Sequence, residues 1–454
     1  MGRPLTAVRL LEVVATALIV IAMSNALVGP LLDPLQTGGD SNPVLRLMWL
    51  PIYGLIAALA ALRVQKLAQY WLPAAMFGLL IGWAFASASW SLFPQISERR
   101  AIAVAVTTLF GLYLAAAYSG RMLSEVLAGS FLVLALGSYF VCLAVPSLGV
   151  HHDVNAGLWR GLWYEKNQMG ATMVYGALAA VTAAILSPPR RPLWIATLVL
   201  CVGLIVMTRS ATSALALAVV MCGVSVLSFM RRGPAGAIAA VWIGVTFATL
   251  LGAVVVLAPE ALYQALGKDP TLTGRTQIWQ LVERASDKAP LLGYGFAAFW
   301  DVKSAPANWI REQLQWVVPT AHNGWLDLKI QLGAIGVAMF GALLASSMIA
   351  GLVRRDYLKD SYFALLFLAV YSLTILSESF ILAHNSLPWV LASACMARAL
   401  GPRPESSAMA LPAPPSVRAE GELPEPYVPA LFEEKIWLPP PQPQDGPADW
   451  RKAG

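Results

Sequence analysis

Residues 321–336 read AHNGWLDLKIQLGAIG, a short polar segment that runs directly into a long apolar one. The stretch predicts a membrane helix with a histidine at its N-terminal end. His322, Asn323 and Asp327 recur at helical spacing, and Gly333 follows about three turns after His322 on roughly the same face. A glycine there leaves a bare backbone that a neighbouring helix can approach closely. The pattern therefore places an imidazole at the membrane surface, facing a cleft, although a single histidine at a helix start is also typical of an interfacial cap.

The composition around this stretch is that of a polytopic membrane protein. Of 454 residues, 58% are hydrophobic and 12% are charged, and the mean hydropathy is +0.64. A soluble protein carries about 25% charged residues. The net charge of +6 does not indicate a nucleic-acid partner, because basic residues in a membrane protein report which side of the bilayer a loop occupies. The four cysteines lie in apolar runs at no metal-ligand spacing, so we predict neither disulfides nor a metal site.

Apolar runs long enough to cross a bilayer recur along the chain. A transmembrane helix needs about 17–25 mostly apolar residues. We therefore predict an all-α fold, a polytopic membrane helical bundle of about twelve transmembrane helices with a large helical periplasmic loop. The predicted spans are 8–29, 44–62, 68–88, 101–118, 122–145, 168–187, 193–208, 211–230, 236–258, 325–352, 361–382 and 385–400.

The chain divides into a transmembrane bundle, residues 1–401, and a tail, residues 402–454. Within the bundle, residues 259–324 form the predicted periplasmic loop, which is too apolar and too rich in Trp to be a disordered linker. Thr276–Ala285 and Asn308–Trp316 have the pattern of amphipathic helices. The tail is rich in Pro and Glu, which predicts a disordered cytoplasmic segment.

Basic residues in alternate loops set the predicted orientation, with both termini in the cytoplasm. The cytoplasmic set includes Arg9, Arg63, Lys66, Arg121, Arg190, Arg191, Arg398 and Arg403. The opposite loops nevertheless retain cations, namely Arg99, Arg100, Arg160, Lys166, Arg209, Arg275, Arg284, Lys288, Lys303 and Arg311. Cations on the disfavoured side suggest an anionic ligand, although snorkelling or pairing with nearby acidic residues also accounts for many of them. Arg209 fits the ligand explanation best, because its sequence neighbours carry no negative charge.

Arginine and histidine together suit group transfer from a diphosphate. A planar guanidinium donates two parallel hydrogen bonds and stays charged when partly desolvated, and a neutral imidazole can take a proton from a hydroxyl as that hydroxyl attacks carbon. No Cys/His cluster or Asp-rich motif accompanies them, so we expect no metal and no other cofactor. The residues predict a glycosyl transferase in which arginines hold the leaving diphosphate while His322 activates the acceptor.

The chain resembles the O-antigen ligase and polysaccharide polymerase superfamily of bacterial inner membranes. His322 and Asn323, followed by Gly333 and Gly336, fit the family pattern of His, then Asn, Ser or Gln, nine residues, and Gly-x-x-Gly. Further short matches occur in the family's order between residues 89 and 340. They are GLWYEKNQMG (161–170), TRSATS (208–213), LTGRTQIW (272–279) and PLLGYG (290–295).

The resemblance implies a metal-independent, inverting glycosyltransferase of the bacterial inner membrane whose active site faces the periplasm. Its donor would be a glycan on undecaprenyl diphosphate. Its acceptor would be the next lipid-linked repeat unit in a polymerase, or lipid A-core in a ligase, and its partners would be membrane lipids and other polysaccharide assembly proteins. The pairs Lys166-Asn167 and Arg209-Ser210 favour the exopolysaccharide polymerase branch without deciding between the two.

The resemblance also assigns site residues at the positions that match its motifs. The expected catalytic residues are His322, Arg275 and Arg209. The expected substrate-binding residues are Arg160, Lys166, Asn167, Arg99, Arg100 and Asn323.

Two other classes of protein remain open from the residues. A transporter or flippase for an anionic lipid-linked glycan could use the same cations, but it needs charged groups near the bilayer midplane. The predicted spans hold few such groups, of which Glu12 and Glu378 stand out near opposite membrane surfaces. A third hypothesis is a membrane scaffold that recruits partners through its Pro-rich tail.

Overall fold

A computed structural model of the chain describes residues 7–26, 28, 30, 43–152, 155–230, 232–257, 275–353 and 358–402. Its helices are α1 (Ala7–Met23), α2 (Pro43–Leu62), α3 (Val64–Ala68), α4 (Trp71–Ala86), α5 (Pro94–Ala117), α6 (Gly120–Ala144), α7 (Pro146–Gly149), α8 (Lys166–Leu186), α9 (Arg191–Thr208), α10 (Ala211–Met230), α11 (Pro234–Leu257), α12 (Arg275–Ser286), α13 (Ala305–Leu314), α14 (Gly324–Val353), α15 (Leu358–Thr374) and α16 (Leu387–Leu400). These described residues contain no strand, only an isolated antiparallel bridge between Val150 and Trp159. The all-α prediction is confirmed for this part of the chain. The predicted tail from residue 403 onward, and residues 259–274 of the predicted loop, lie outside the described residues.

Long apolar helices identify a multi-pass membrane protein. Seven helices in the described ranges are long and apolar enough to cross a bilayer. They are Trp71–Ser89, Pro94–Ala117, Gly120–Ala144, Lys166–Leu186, Pro188–Thr208, Ala211–Met230 and Gly324–Val353. Shorter apolar helices occur at Leu47–Leu62, Pro234–Thr246, Phe363–Thr374 and Leu387–Leu400. The predicted count of about twelve spans is not confirmed.

The predicted span 361–382 extends too far. The helix α15 ends at Thr374, and residues 375–386 form turns before α16. The helix stops where the sequence becomes polar, at Ser377, Glu378 and Ser379, and two of these side chains contact other elements of the fold. This turn segment carries part of the candidate site described below.

Small residues bring the central helices close together. The helices α5 and α16 meet at Gly111, where an added Cβ atom would lie 2.7 Å from the carbonyl oxygen of Val390. The helices α8 and α9 meet at Gly176, where a Cβ atom would lie 2.9 Å from Sγ of Cys201. Close backbone approach at small residues is the usual basis of helix packing in membranes. These contacts fix the frame that carries the loops at both ends of the bundle.

A buried ionic cluster lies at one end of the bundle, which we call the Glu12 end. Glu12 is 4% exposed, and its carboxylate accepts hydrogen bonds from Nε of Arg63 at 2.8 Å and from the Tyr113 hydroxyl at 2.9 Å. Arg9 pairs with the same carboxylate and donates to the carbonyl oxygen of Ala117 at 2.9 Å. A single carboxylate therefore joins α1, the end of α2 and the end of α5.

Other basic residues of the predicted cytoplasmic set lie at the Glu12 end as well. Arg121 and Arg190 both pair with Glu125, at 3.2 and 3.0 Å. Arg398 donates to the carbonyl oxygen of Tyr118 at 2.8 Å. The fold therefore gathers at one end the loop cations that the sequence assigns to one side of the membrane. Their cytoplasmic location stays a prediction.

The opposite end, which we call the His322 end, is built on a break in α14 at Gly333. This residue has φ 65° and ψ −170°, so the helix is interrupted there. The backbone of a preceding loop fills the gap: the N–H of Tyr294 donates to the carbonyl oxygen of Ile330 at 2.9 Å, and the N–H of Gly295 donates to that of Gln331 at 3.0 Å. The indole N–H of Trp83 donates to the carbonyl oxygen of Leu332 at 3.2 Å. The sequence predicted that a neighbouring helix would approach Gly333, whereas the chain that approaches is an irregular loop.

The described part of the predicted loop, residues 275–323, folds over this end. The helices α12 and α13 confirm the two predicted amphipathic helices, although α13 ends at Leu314, before the predicted Trp316, because Gln315 takes a left-handed conformation with φ 59°. A separate small core holds the loop together. It consists of Ile278, Val282, Ala285, Phe299, Ala307, Ile310, Val318, Ala321 and Ile330.

Candidate active site

His322 lies in the turn that leads into α14 and is partly exposed. Its backbone is left-handed, with φ 49°, a conformation that costs a non-glycine residue about 1–3 kcal/mol and is common at functional sites. The side-chain oxygen of Asn323 accepts hydrogen bonds from the N–H groups of Trp325 and Leu326, at 3.0 and 3.3 Å, and so caps the helix. The N–H of Gly324 donates to the carbonyl oxygen of Ile375 at 2.8 Å. The turn is therefore held from both sides.

The Glu378 carboxylate joins His322 to Arg275. Its Oε1 lies 3.4 Å from Nη2 of Arg275, and its Oε2 lies 4.0 Å from Nδ1 of His322. The side chain of Arg275 is 18% exposed, that of His322 29% and that of Glu378 25%, so a ligand can reach all three. The structure thus brings two of the three predicted catalytic residues together. Sequence reasoning did not assign Glu378 to the site, although its charge at the end of a predicted apolar span was a usable signal.

Asp327 turns inward beneath His322. It is 4% exposed and accepts hydrogen bonds from Nε1 of Trp300 at 2.6 Å, from the N–H of Ala321 at 3.2 Å and from the hydroxyl of Ser379. One carboxylate therefore joins the loop, the turn before His322 and the segment that carries Glu378. Helical spacing from His322 suggested a shared polar face, but the side chain of Asp327 has a structural role.

An open cleft of about 410 Å³ lies beside this group, between α12 and the start of α14. It is lined by Thr276, Trp279, Gln280, Glu283, Asn323, Trp325 and Leu326. Asn323 was predicted to bind substrate. Because its oxygen caps α14, its amide nitrogen is the group that it can present to the cleft. The mixture of indole rings, amides and a carboxylate suits a sugar, which has both apolar ring faces and hydroxyl groups.

Arg209 and Lys166 form a second group at the start of α10 and α8. Arg209 is exposed and has φ 48°, and its guanidinium forms no hydrogen bond or ion pair with any described residue. Lys166 is half-buried and close enough to Arg209 to interact with it electrostatically. Its backbone N–H donates to Nε2 of the buried His151 at 3.2 Å, so that histidine caps α8, and the adjacent Asn167 is exposed. This group forms an exposed positive surface at the start of α8 and α10.

The remaining predicted ligand-binding arginines are partly engaged by the fold. Arg160 donates from Nε to the carbonyl oxygen of Leu148 at 3.0 Å. Arg100 donates to the carbonyl oxygen of Ala297 at 3.4 Å, while Arg99 is exposed. Substrate binding by these three residues stays a prediction.

Both groups lie at the His322 end of the bundle. The indole N–H of Trp163, in the loop before Lys166, donates to the carbonyl oxygen of Ser24 at 2.7 Å. The side chain of the adjacent Asn25 donates to the carbonyl oxygen of Asn385 at 3.0 Å, in the turn segment that carries Glu378. In the described ranges no hydrogen bond or ion pair joins Arg209 directly to His322 or Arg275. The same ranges contain no group of three or more His, Cys, Asp or Glu side chains arranged to hold a metal ion.

Two comparisons with known proteins bear on this site. A family model described as O-antigen ligase matches residues 196–341, which include Arg209, Arg275 and His322. The exopolysaccharide production protein ExoQ of Rhizobium meliloti (strain 1021) is 27% identical over 282 residues, which cover 58% of this chain and 62% of that protein. The chain therefore matches less than two thirds of the length of this relative.

The apolar helices define a multi-pass membrane protein, and its residues 196–341 match the O-antigen ligase family model. These matches support the O-antigen ligase and polysaccharide polymerase superfamily that the motifs indicated.

Proposed function

We propose that the protein transfers a glycan from an undecaprenyl-diphosphate-linked donor to an acceptor hydroxyl, with inversion and without a metal ion, at the periplasmic face of the bacterial inner membrane. The observation that carries the proposal is the placement of His322 and Arg275 on one carboxylate beside an open cleft. The imidazole can act as a base, and the guanidinium can donate two parallel hydrogen bonds to a diphosphate. These are the two groups that direct displacement of a diphosphate requires.

Glu378 sets the orientation of the base in this mechanism. Its carboxylate faces Nδ1 of His322, so Nε2 is the ring nitrogen directed elsewhere and takes the proton of the acceptor. The separation of 4.0 Å exceeds a hydrogen bond, and such contacts commonly tighten when substrate binds. A carboxylate behind an imidazole also stabilises the cation that forms as the proton is transferred.

The diphosphate is held from two directions in the proposed complex. Arg275 contributes from α12, and the exposed Arg209 contributes from the α9–α10 turn with Lys166 beside it. Negative charge grows on the diphosphate as the bond to the sugar breaks, so fixed cations stabilise the transition state more than the ground state. The guanidinium of Arg209 has no acidic partner among the described residues, which leaves it available for this task.

We infer that the acceptor is the next lipid-linked repeat unit, so that the protein acts as a polymerase. The name of the matched relative, an exopolysaccharide production protein, supports this choice over lipid A-core. The test uses purified protein, a lipid-linked repeat unit as both donor and acceptor, and EDTA in the buffer. Products longer than one unit support the polymerase. Transfer only to lipid A-core would identify a ligase, and strict dependence on added metal would contradict the arginine mechanism.

The Arg275→Lys variant should lose about 10-fold to 100-fold in transfer rate in this assay. Lysine keeps the positive charge but cannot donate two parallel hydrogen bonds to a diphosphate. Arg190→Lys is the matched control, because Arg190 lies at the Glu12 end, where it pairs with Glu125. Unchanged activity in Arg275→Lys would show that this residue supplies only a point charge.

The transporter alternative has less support from the fold. Glu12 is neutralised by Arg9 and Arg63 at one end, and Glu378 lies in a turn segment at the other. A transport site needs charged groups near the middle of the bilayer that are reached from both sides. Neither carboxylate has that position.

A further inference from the structure

A second cleft, which we call the basic cleft, lies at the far end of α12 from Arg275. Its volume is about 550 Å³. It is lined by Leu92, Arg284, Ala285, Lys288, Tyr294, Ala305, Pro306 and Trp309. Its walls come from the end of α12, the start of α13, the segment before α5 and the loop that fills the break in α14. It shares no lining residue with the cleft beside His322.

The two cations of the basic cleft are available to a ligand. Arg284 and Lys288 are both exposed, and neither side chain forms a hydrogen bond or ion pair with any described residue. The acidic neighbours in sequence, Glu283 and Asp287, are exposed as well and do not line this cleft. The cations lie in the last turn of α12 and just beyond it, where the partial negative charge of the helix end favours them. Their positive charge is therefore available at the cleft without a partner among the described residues.

Rigid aromatic surfaces flank these cations. Trp309 is 39% exposed, and Tyr294 is anchored by a hydrogen bond from its hydroxyl to the carbonyl oxygen of Ala285 at 2.9 Å. Burial raises the pKa of the Tyr294 phenol, which therefore stays neutral. A flat ring offers a packing surface for the apolar face of a sugar at little entropic cost. Aromatic rings next to unpaired cations match a saccharide that carries negative charge.

The helix α12 connects the basic cleft to the cleft beside His322. Thr276, Gln280 and Glu283 on α12 face the first cleft, whereas Arg284 and Lys288 face the second. At 1.5 Å per helical residue, Thr276 and Arg284 are separated by about 12 Å along the axis. A glycan of a few sugars that follows α12 would therefore reach both clefts.

We propose that the basic cleft binds an acidic segment of the glycan, one that bears carboxylate or another anionic substituent, at a distance from the bond that is formed. The assignment of the ligand as glycan rests on the proposed function, but binding at the cleft does not require turnover. The same chemistry could recognise an anionic lipid headgroup, so the test includes lipid as a separate arm. The cleft would favour acidic over neutral polysaccharide.

The test measures equilibrium binding of hexagalacturonate, an acidic oligosaccharide, to the full-length protein in phosphatidylcholine nanodiscs. Neutral maltohexaose is the comparison ligand. We expect the Arg284→Gln/Lys288→Gln variant to bind hexagalacturonate about tenfold more weakly, with its weak affinity for maltohexaose unchanged. Trp309→Ala should weaken the binding of both. The matched control is Lys303→Gln, which removes an exposed cation of the same loop outside the cleft.

Several outcomes would overturn the proposal. They are equal affinity of the wild type for the acidic and neutral ligands, an unaltered affinity in the double variant, or an equal loss in Lys303→Gln. A double variant that loses binding to phosphatidylglycerol nanodiscs but not to hexagalacturonate would identify a lipid site instead. His322→Ala should bind hexagalacturonate normally. Binding of the acidic ligand through these cations without any glycan transfer would therefore refute the proposed function. The proposed binding role of the basic cleft would stand.

Discussion

Replacement of His322 with alanine should reduce glycan transfer by about 10²–10⁴-fold, the range over which a positioned acid or base accelerates a reaction. The residue is the only histidine that the described structure places against Glu378, and it lies in an exposed turn next to an open cleft. Its removal leaves the acceptor hydroxyl without a proton acceptor at that position. Arg275 and Glu378 would still pair with one another, so the fold of the loop should be retained.

His152→Ala is the matched control for this measurement. His152 is exposed at the same end of the bundle, and its ring contacts the carbonyl oxygen of Pro146 at 3.3 Å. The His152→Ala variant should transfer glycan at the wild-type rate. If His322→Ala retains full activity in the purified assay, His322 is not the base. If Glu378 positions the imidazole, Glu378→Gln should lose less of the glycan-transfer rate than His322→Ala does, with its thermal stability unchanged.

Substitution of Gly333 by alanine should abolish activity through the fold. The left-handed φ of 65° is unfavourable for alanine, and the added Cβ atom would collide with the carbonyl of Leu291 and lie 2.5 Å from the nitrogen of Leu292. Strain and overpacking together should cost about 2–6 kcal/mol. The obstacles are backbone atoms, so no side chain can rotate away. We expect the loop to detach from the break in α14, with faster amide hydrogen exchange at Tyr294 and Gly295.

Gly341→Ala on the same helix is the control. An added Cβ atom there meets only the ring of Trp325, at 3.9 and 4.0 Å, which is ordinary van der Waals contact. Alanine is also the better helix former by about 1 kcal/mol. Gly341→Ala should therefore keep both activity and loop protection. Equal effects of the two substitutions would mean that loss of helix flexibility, and not loop docking, explains the result.

The sequence could point to candidate site residues where they occur in local patterns. His322, Asn323 and Gly333 lie within twelve residues of one another and could be identified by their spacing, whereas Arg275 was assigned by its match to a motif of the resembled family. The structure brings His322 and Arg275 together through Glu378. The proximity of either residue to Arg209 stays a prediction.

Contacts between distant segments could not be predicted in the same way. Glu378 follows His322 by more than fifty residues, and nothing in a single sequence indicates that a turn after α15 returns to the start of α14. Gly333 was interpreted from its own helix, so the docking of residues 290–295 on its backbone was missed. Asp327 was interpreted by its periodicity, although its partners Trp300 and Ser379 come from two other segments. Each error arose where long-range hydrogen bonds determine what a local pattern means.

The break at Gly333 determines how His322 is joined to the membrane helices. The carbonyl groups of Ile330 and Gln331 accept hydrogen bonds from the loop, and that of Leu332 accepts one from Trp83 on α4, while the helix resumes beyond Gly333. The same loop also bonds the first residues beyond the break, because the N–H groups of Ala334 and Ile335 donate to the carbonyl oxygens of Pro290 and Leu291 at 2.8 and 3.4 Å. The loop therefore clamps both halves of α14, so a tilt of the membrane-embedded half would be passed on to the segment that carries His322.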